Sequence, residues 1–292
     1  MSFNWIGKSS DGRTVILNKF CHEMFSFNEY ELASNSIGIG AVVDIETTGL
    51  DKQNDKIIEI GVRLFQFHRT TAEILNLGVS YSEFEDPQIP LSDEIKSLTG
   101  ISNEMLKGRK IDWDVVNTLL SECSIVIAHN SSFDRHFIDK HSEVSKNKIW
   151  GCSLTQVDWK SCGFNSNKLD VLSIYHGFFT DSHRALNDVD ALVYLLSLKK
   201  HGSSIPYLFE LIKNAQKNSV LVKALGAPFD KKDLLKLRKY QWDNLNKVWI
   251  KEIYQDDVDL ERKWLEENIY PGKFLGEIKL IDSINRFKTS EH

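Results

Sequence analysis

An apolar run that carries two carboxylates on alternate residues constrains this sequence more than any other feature. The run extends from Ala41 to Leu50, and its two acids are Asp44 and Glu46. Side chains alternate between the two faces of an extended strand, so both carboxylates project from the same face. Residues 47–49 (Thr-Thr-Gly) then break the strand, which places the acids near its C-terminal end.

Two carboxylates this close repel each other, and each has a raised pKa unless a cation lies between them. Hard oxygen ligands at short range suit Mg²⁺ or Mn²⁺. An isolated Asp-x-Glu is more often a pair of solvent-facing acids on a strand. Two later segments supply further acids, however, and they favour the metal-binding interpretation.

Length and composition indicate a globular protein with room for a second, smaller unit. The chain has 292 residues, of which 41% are hydrophobic and 26% charged, and its net charge is −5. This charge argues against a uniformly cationic nucleic-acid binder but leaves room for a local basic groove. We expect a cytoplasmic protein without membrane association, because there is neither a signal-peptide pattern nor an apolar run of membrane-spanning length. The four cysteines show no zinc-site spacing.

The order of apolar runs and turn signals predicts a mixed sheet flanked by helices, an α/β fold. After the first strand, residues 56–67 and 72–81 read as two more strands with short connections, which favours an antiparallel meander. Strands at 124–128 and 150–157 then alternate with helices at 112–123, 169–175 and 184–199. Strands that alternate with helices are typical of parallel pairing, so the sheet should be mixed.

Two further acids lie where later strands give way to helices. Asp134 falls just after the strand at 124–128, and Asp188 falls near the start of the helix at 184–199. In an open sheet, functional residues gather where strand C-termini meet helix N-termini. Four carboxylates could then converge on two metal ions, one activating a water and the other stabilising the leaving oxygen of a phosphodiester. The four are Asp44, Glu46, Asp134 and Asp188.

Three neighbouring residues receive different interpretations. His183 lies five residues before Asp188 and is a candidate general base, because an imidazole ionises near neutral pH. His129 ends a strand, and we expect it to be a hydrogen-bonded structural histidine. Asp190 lies roughly 200° round the helix from Asp188, and we expect it to be solvated.

Taken together, the three segments resemble the exonuclease motifs of the DEDDh family, the DnaQ-like 3′→5′ exonucleases. Asp44-Ile-Glu46-Thr-Thr-Gly resembles the first motif, His129-Asn130-Ser-Ser-Phe133-Asp134 the second, and His183-Arg-Ala-Leu-Asn-Asp188 the third. The resemblance covers approximately residues 40–200 and includes Leu98-Thr-Gly-Ile-Ser.

The resemblance implies an RNase H-like fold with a mixed five-stranded sheet for a domain at 40–203, after a lead-in at 1–39. It implies ligation of two Mg²⁺ or Mn²⁺ ions by the four acids, with His183 as the base. The implied activity is hydrolysis of phosphodiester bonds at single-stranded or frayed nucleic-acid 3′ ends, DNA favoured over RNA, with release of nucleoside 5′-monophosphates. The residues implied to bind or support the terminal nucleotide are Thr47, Thr48, Gly49, Leu50 and Asn130.

Two alternatives remain open at the level of sequence. The same chemistry could act on RNA or on a small nucleotide, because no motif specifies contacts to a 2′-hydroxyl group. A catalytically silent exonuclease fold could instead serve as a binding subunit. Loss of any one acid would have favoured that second alternative.

Beyond about residue 203 the composition changes, and residues 204–292 read as a small α or α+β module. Its segment 221–251 is basic with interleaved aromatic residues, so it could bind phosphates and stack on unpaired bases. Equally, the tryptophans could form the module's core and the lysines its solvated face. A protein partner could also bind there. The candidate nucleic-acid contacts are Lys231, Lys232, Arg238, Lys239, Trp242 and Trp249.

Overall fold

The chain forms two compact units, Met1–Ala215 and Gln216–His292. The computed structural model describes residues 7–8, 13–27, 33–181, 183–200 and 202–288. None of the helices in these ranges combines the length and the apolar character that a bilayer span requires.

The first unit is built on a mixed five-stranded sheet flanked by helices, as the sequence predicted. Its strands are β1 Gly7–Lys8, β2 Val15–Ile16, β3 Asn18–Lys19, β4 Ile37–Thr47, β5 Ile57–His68, β6 Ile74–Phe84, β7 Ile125–Ala128, β8 Ile149–Cys152 and β9 Phe178–Phe179. Its helices are α1 Asp93–Thr99, α2 Asn103–Leu106, α3 Trp113–Glu122, α4 Ser131–Ile138, α5 Glu143–Lys146, α6 Ser153–Gln156, α7 Leu169–Tyr175, α8 Ala185–Ser197 and α9 Tyr207–Gln216. The central sheet has the order β6-β5-β4-β7-β8, in which β4, β5 and β6 pair antiparallel while β7 and β8 run parallel to β4.

Helix α8 packs closely on β5 because Gly61 has no side chain. A Cβ at Gly61 would lie 2.6 Å from the carbonyl carbon of Ala185 and 2.7 Å from the nitrogen of Leu186. Gly61 pairs with Asp44 across the sheet, so α8 begins on the face from which the Asp44 carboxylate projects. The apolar stripe predicted for this helix is buried, and Val189 and Val193 have no exposed surface.

The predicted strand at 150–157 is only half correct. Strand β8 ends at Cys152, and α6 follows at once. The side-chain Oε1 of Gln156 accepts a hydrogen bond from the Cys152 N–H at 2.8 Å, which holds the turn into that helix. The edge strand is therefore short.

Helix α9 belongs to the first unit, whereas the sequence placed it in the C-terminal module at 204–292. Tyr207, Leu208 and Leu211 are buried in the same core as α8. Gly151 of β8 makes room for α9, since a Cβ there would lie 2.6 Å from Cδ2 of Leu211. The Gly-Ser-Ser sequence at 202–204 is consequently a turn within the unit, and the division of the chain comes at the C-terminal end of α9, between Ala215 and Gln216.

The lead-in at 1–39 is described in part, since residues 1–6, 9–12 and 28–32 lie outside the described ranges. Strand β3 pairs parallel with β9, so the lead-in adds a small two-stranded sheet beside α8. The rings of Phe20 and Phe25 lie 5.6 and 5.3 Å from the ring of Tyr194 on α8. Strand β4 begins at Ile37, ahead of the expected domain start at residue 40.

The second unit is an α+β fold, one of the two classes expected for the C-terminal module. It contains a four-stranded antiparallel sheet in the order β11-β12-β10-β13, with one core that includes Leu235 and Leu265. The strands are β10 Ser219–Ala224, β11 Gln241–Asp243, β12 Val248–Tyr254 and β13 Glu277–Ile281, and the helices are α10 Lys232–Leu237 and α11 Val258–Asn268.

Replacing Gly61 with alanine should destabilise the first unit by about 1–3 kcal/mol, because the added methyl group meets backbone that cannot move aside as a flexible side chain would. Thermal unfolding followed by circular dichroism measures the change. Ser82→Ala is the matched control, since Ser82 pairs with Gly61 from β6 and is exposed. An unchanged melting temperature in Gly61→Ala would contradict the close packing of α8 on β5.

Candidate functional site

Three carboxylates meet at the C-terminal end of β4. Asp44 and Glu46 lie on β4, and Asp188 approaches from the first turn of α8. One carboxylate oxygen from each residue lies within 4.8 Å of the other two. The structure thus brings together three of the four acids that the sequence predicted as metal ligands.

Asp134, the fourth predicted acid, lies beside this three-carboxylate cluster. It falls in the first turn of α4 and is only 3% exposed. The backbone N–H of Ile45 donates a hydrogen bond to its carboxylate and limits the rise in its pKa. Its negative charge in turn raises the pKa of Asp44 and of Glu46.

Burial raises the pKa of every acid in the group, and repulsion by neighbouring carboxylates adds to it for Asp44 and Glu46. Burial is the largest cause for Asp44, whose pKa lies well above its usual range, and the charges of Asp134, Asp188 and Glu46 add to it. Burial and then the charge of Asp188 raise the pKa of Glu46 to about 8. Burial alone is the main cause of the pKa of about 7 at Asp134 and of about 6 at Asp188.

This donor set fits a hard divalent cation. Its ligand atoms are carboxylate oxygens at close range, which Mg²⁺ and Mn²⁺ prefer. A cation would also offset the repulsion between Asp44, Glu46 and their neighbouring acids and favour the charged form of each carboxylate.

His183 is tied to the site through its backbone. The His183 N–H donates a hydrogen bond to Oδ2 of Asp188 at 2.8 Å, which fixes the loop that leads into α8. The residue adopts a left-handed conformation with φ of 66°, which is uncommon for a residue other than glycine, and it is exposed. Such strained residues cluster at functional sites.

A buried ion pair beside the acids was not predicted from the sequence. Glu59 is 1% exposed and pairs with Glu46 across the β4–β5 ladder. Its carboxylate accepts hydrogen bonds from Nε and Nη2 of Arg184, at 3.2 and 3.1 Å, and from the N–H of Ala185 at 3.2 Å. Glu59 therefore anchors the start of α8, the helix that carries Asp188. The signal in the sequence was a charged residue inside an apolar strand, two residues before the glycine at 61.

The predicted nucleotide contacts form a tight turn after β4. Thr47 Oγ1 donates to the carbonyl oxygen of Gly49 at 2.6 Å, and Thr48 Oγ1 donates to Oδ1 of Asp55, also at 2.6 Å. A Cβ at Gly49 would lie 2.5 Å from Oδ2 of Asp55, so a larger residue there would displace the Asp55 carboxylate from its hydrogen bond with Thr48. Leu50 remains 84% exposed. The turn is thus rigid at its base and presents one apolar side chain to solvent.

His129 is a structural histidine, as expected. Its Nδ1 lies 2.8 Å from the hydroxyl of Ser153 and its Nε2 lies 2.8 Å from the carbonyl oxygen of Asn167. Burial lowers the pKa of His129 to about 4, so the ring is neutral at physiological pH. The adjacent Asn130 is exposed at the start of α4, where its Oδ1 accepts a hydrogen bond from the Ser132 hydroxyl at 3.0 Å.

The expectation that Asp190 is solvated is wrong. Its exposure is 6%, and its carboxylate accepts hydrogen bonds from Nε and Nη2 of Arg63 at 2.7 and 2.8 Å. Nε2 of His22 lies 2.8 Å from the same carboxylate. The lead-in covers this side of α8, and Arg63 reaches it from β5 because the helix packs so closely there.

The candidate nucleic-acid contacts of the second unit fall into two groups. Arg238 binds the buried Glu261 at 3.1 Å, and Trp249 packs against the core, so both have structural roles. The second group has four members. Its three lysines make no salt bridge with any described residue, and its tryptophan, Trp242, is 43% exposed. These four are Lys231, Lys232, Lys239 and Trp242.

The stability of the metal-free protein should fall as the pH rises from about 5 to 8. A carboxyl group whose folded pKa exceeds its unfolded value of about 4 stabilises the protein at low pH, and that contribution is lost as the pH rises through the folded value. Those folded values are about 6 for Asp188, 7 for Asp134 and 8 for Glu46.

Asp44→Asn removes one of the repelling charges. The metal-free variant should therefore be more stable than the wild type at pH 8. Its melting temperature should rise by roughly 2–4 °C for each 1 kcal/mol gained in the free energy of unfolding. Scanning fluorimetry in EDTA across this pH range measures the effect, with the exposed Asp170→Asn on α7 as control. A wild-type melting temperature that rises toward pH 8 would contradict the clustering of these acids.

Comparisons with known proteins agree with this arrangement. Residues 41–196 match a family model described as exonuclease, of the RNase T type. The PolC-type DNA polymerase III of Clostridium perfringens is 29% identical over 201 residues, which cover 66% of this chain and 12% of that protein. The corresponding polymerase of Listeria innocua is 34% identical over 164 residues, covering 53% and 11%. The chain thus spans about a tenth of the length of these curated relatives.

Solved structures share the fold. A zinc-bound complex of E. coli exonuclease I with single-stranded DNA has a TM-score of 0.50 at 16% identity and covers 86% of this chain and 63% of that chain. E. coli exonuclease I with a dA16 oligonucleotide also has a TM-score of 0.50, at 14% identity, covering 79% and 71%. With the family match extending over half of the chain, the protein belongs to the exonuclease family of the RNase T type, and it shares its fold with E. coli exonuclease I.

Proposed function

We propose that the protein is a metal-dependent 3′→5′ exonuclease that removes nucleoside 5′-monophosphates from nucleic-acid 3′ ends, with DNA preferred to RNA. The observation that carries this proposal is the convergence of Asp44, Glu46 and Asp188, with oxygens within 4.8 Å of one another, beside the buried Asp134. The PolC-type relatives are DNA polymerases, which supports DNA as the substrate. The exonuclease I complexes with single-stranded DNA support a single-stranded or frayed 3′ end.

The four acids would hold two Mg²⁺ or Mn²⁺ ions. When bound, such ions neutralise the acids, polarise the scissile phosphodiester and promote ionisation of the attacking water. Asp44 and Glu46 are fixed by the β4 ladder, and Asp188 is fixed by the anchoring of α8 through Glu59. The acids are therefore held in position before substrate arrives, which lowers the cost of reorganisation during the reaction.

His183 would accept the proton of the attacking water as general base. The water oxygen forms a bond to phosphorus, the bond from phosphorus to the 3′ oxygen of the preceding nucleotide breaks, and that oxygen takes up a proton from solvent. The backbone bond from His183 to Asp188 keeps the imidazole on the loop next to the acids. Arg184, the residue after His183 in this loop, is held by its hydrogen bonds to Glu59.

The terminal nucleotide would bind against the turn at Thr47–Leu50. The backbone of this turn would contact the sugar and phosphate, and the exposed Leu50 offers an apolar surface to the base. Asn130, exposed at the start of α4, supports the same side of the site.

Digestion of 5′-end-labelled single-stranded DNA, duplex DNA and RNA in parallel, in Mg²⁺ or Mn²⁺, tests this function. We expect labelled products that shorten progressively from the 3′ end, nucleoside 5′-monophosphates in the soluble fraction, and the fastest turnover on single-stranded DNA. Faster cleavage of RNA would overturn the DNA preference. Binding of all three without cleavage would make the protein a catalytically silent binding subunit.

Asp44→Asn should lower turnover by roughly 10³-fold or more, because loss of one ligand charge removes several kcal/mol of transition-state stabilisation. EDTA should abolish the activity of the wild type. Steady-state rates on single-stranded DNA measure both effects, with Asp170→Asn as the control. Near wild-type turnover in EDTA, or in a folded Asp44→Asn protein, would contradict the metal site.

His183→Asn should lower the rate by about 10²–10⁴-fold, the usual contribution of a general base. Asparagine tolerates the left-handed backbone, so this variant keeps the turn and the N–H bond to Asp188 while it removes the imidazole. His183→Ala, in contrast, also strains the turn.

Calorimetric titration with Mn²⁺ supplies the second measurement for His183. We expect the affinity of His183→Asn for Mn²⁺ to stay close to that of the wild type. Loss of Mn²⁺ binding together with activity would show that the histidine is a ligand instead of a base. Retained activity would limit His183 to its backbone role.

A further inference from the structure

We propose that segment 228–247 of the second unit is a binding surface for single-stranded nucleic acid, in which lysines contact phosphates and two exposed aromatic rings stack on bases. We call this segment the basic platform. It lies outside residues 41–196, the part matched by the exonuclease family model. The proposal rests on the proposed function only in its choice of single-stranded nucleic acid as the partner.

The basic platform is locally cationic in an acidic chain. It contains six basic and three acidic side chains, a local net charge of +3, while the whole chain carries −5. Its acidic surroundings neutralise only part of this charge, since Glu261 pairs with Arg238 of the platform and with Lys251 outside it. Within the described residues the platform's five lysines make no salt bridge. They are Lys231, Lys232, Lys236, Lys239 and Lys247.

Of the two lysines of α10, Lys236 is exposed and Lys232 is half-buried. Leu235 is fully buried in the core of the second unit and fixes the orientation of the helix. Lys232 and Lys236 are one turn apart and share a helix face, where two like charges repel and weaken the helix. An anionic partner would remove that repulsion.

Two aromatic rings of the platform are exposed. Phe229 is 81% exposed, and Nζ of Lys232 lies 4.3 Å from its ring centroid. Trp242 is 43% exposed and packs edge to face on Trp249, with the ring centroids 5.4 Å apart. Because Trp249 packs against the core, the indole of Trp242 has a fixed support and loses little freedom on binding.

Exposed aromatic rings among unneutralised lysines match the chemistry of single-stranded nucleic acid. Phosphates supply negative charge at a regular spacing, and every unpaired base supplies a π-face for stacking. A duplex would offer the charge without accessible base faces, because its bases are stacked on each other. The platform therefore fits a single strand better than a duplex.

Fluorescence anisotropy tests the platform on the full-length protein in EDTA, which prevents cleavage. The probes are labelled oligothymidylate, oligouridylate and an abasic DNA strand of equal length, each titrated over a series of salt concentrations. The charge variant is the triple Lys231→Gln, Lys232→Gln and Lys239→Gln. The stacking variants are Phe229→Leu and Trp242→Leu, which keep an apolar side chain but remove the ring.

Each class of variant has a matched control in the same unit. Lys263→Gln removes a lysine of α11 that is 72% exposed and paired with Glu267, outside the platform. Leu237→Ala removes an apolar side chain that is 82% exposed, comparable to Phe229, but has no ring. Circular dichroism verifies that each variant is folded.

The triple lysine variant should flatten the plot of log K against log salt by about two units, since each single-strand phosphate contact contributes about −0.7 to the slope. Phe229→Leu and Trp242→Leu should each weaken binding to oligothymidylate by about 5- to 150-fold. The same two variants should leave binding to the abasic strand close to that of the wild type. Both controls should bind every probe as the wild type does.

An unchanged slope and affinity in all platform variants would overturn the proposal, as would a wild type that binds neither oligonucleotide. The latter result would favour a protein partner for this surface. Equal losses on abasic and normal strands would refute stacking. Turnover at saturating substrate reports on the proposed function separately, because a protein that binds through the platform without cleaving would contradict the nuclease proposal and leave this inference standing.

Discussion

The burial of clustered carboxylates is the constraint on which the site of the first unit depends. Asp44, Glu46 and Asp188 place oxygens within 4.8 Å of one another, and burial raises the pKa of each. Such a cluster opposes folding in the absence of a cation, so the surrounding structure has to hold it together. The long β4–β5 ladder and the close packing of α8 at Gly61 provide that rigidity.

Helix α8 is held by charged side chains at two points, and both bear on the site. Glu59 anchors its first turn through Arg184 and the N–H of Ala185. Further along, Asp190 binds Arg63 of β5 and His22 of the lead-in. A lead-in that lies before the family-matched region thus contributes to the placement of the helix that carries Asp188.

The sequence was sufficient where a local pattern determines the geometry. Alternation along a strand put Asp44 and Glu46 on one face, and helix spacing identified the buried stripe of α8. Charged partners distant in sequence could not be found in this way. Glu59 and Arg184 are 125 residues apart, and Arg63 and Asp190 are 127 apart, so only the packing of α8 on β5 reveals either pair.

The second unit shows the same limit. Composition indicated a basic, aromatic segment but could not separate its structural residues from its accessible ones. Arg238 is neutralised by Glu261, whereas Lys232 makes no salt bridge with any described residue. Trp249 is packed against the core, whereas Trp242 is 43% exposed. The sequence likewise did not show that residues 207–216 complete the core of the first unit, because any compact core could have buried their apolar side chains.

Counting bound Mn²⁺ by electron paramagnetic resonance tests the central claim most directly, namely that the four acids form one metal site. The titration compares the wild type with Glu46→Gln and with the exposed-acid control Asp170→Asn. The account predicts two ions in the wild type and in the control, and loss of at least one, with weakened affinity for the other, in Glu46→Gln. Equal Mn²⁺ stoichiometry and affinity in all three folded proteins would contradict it.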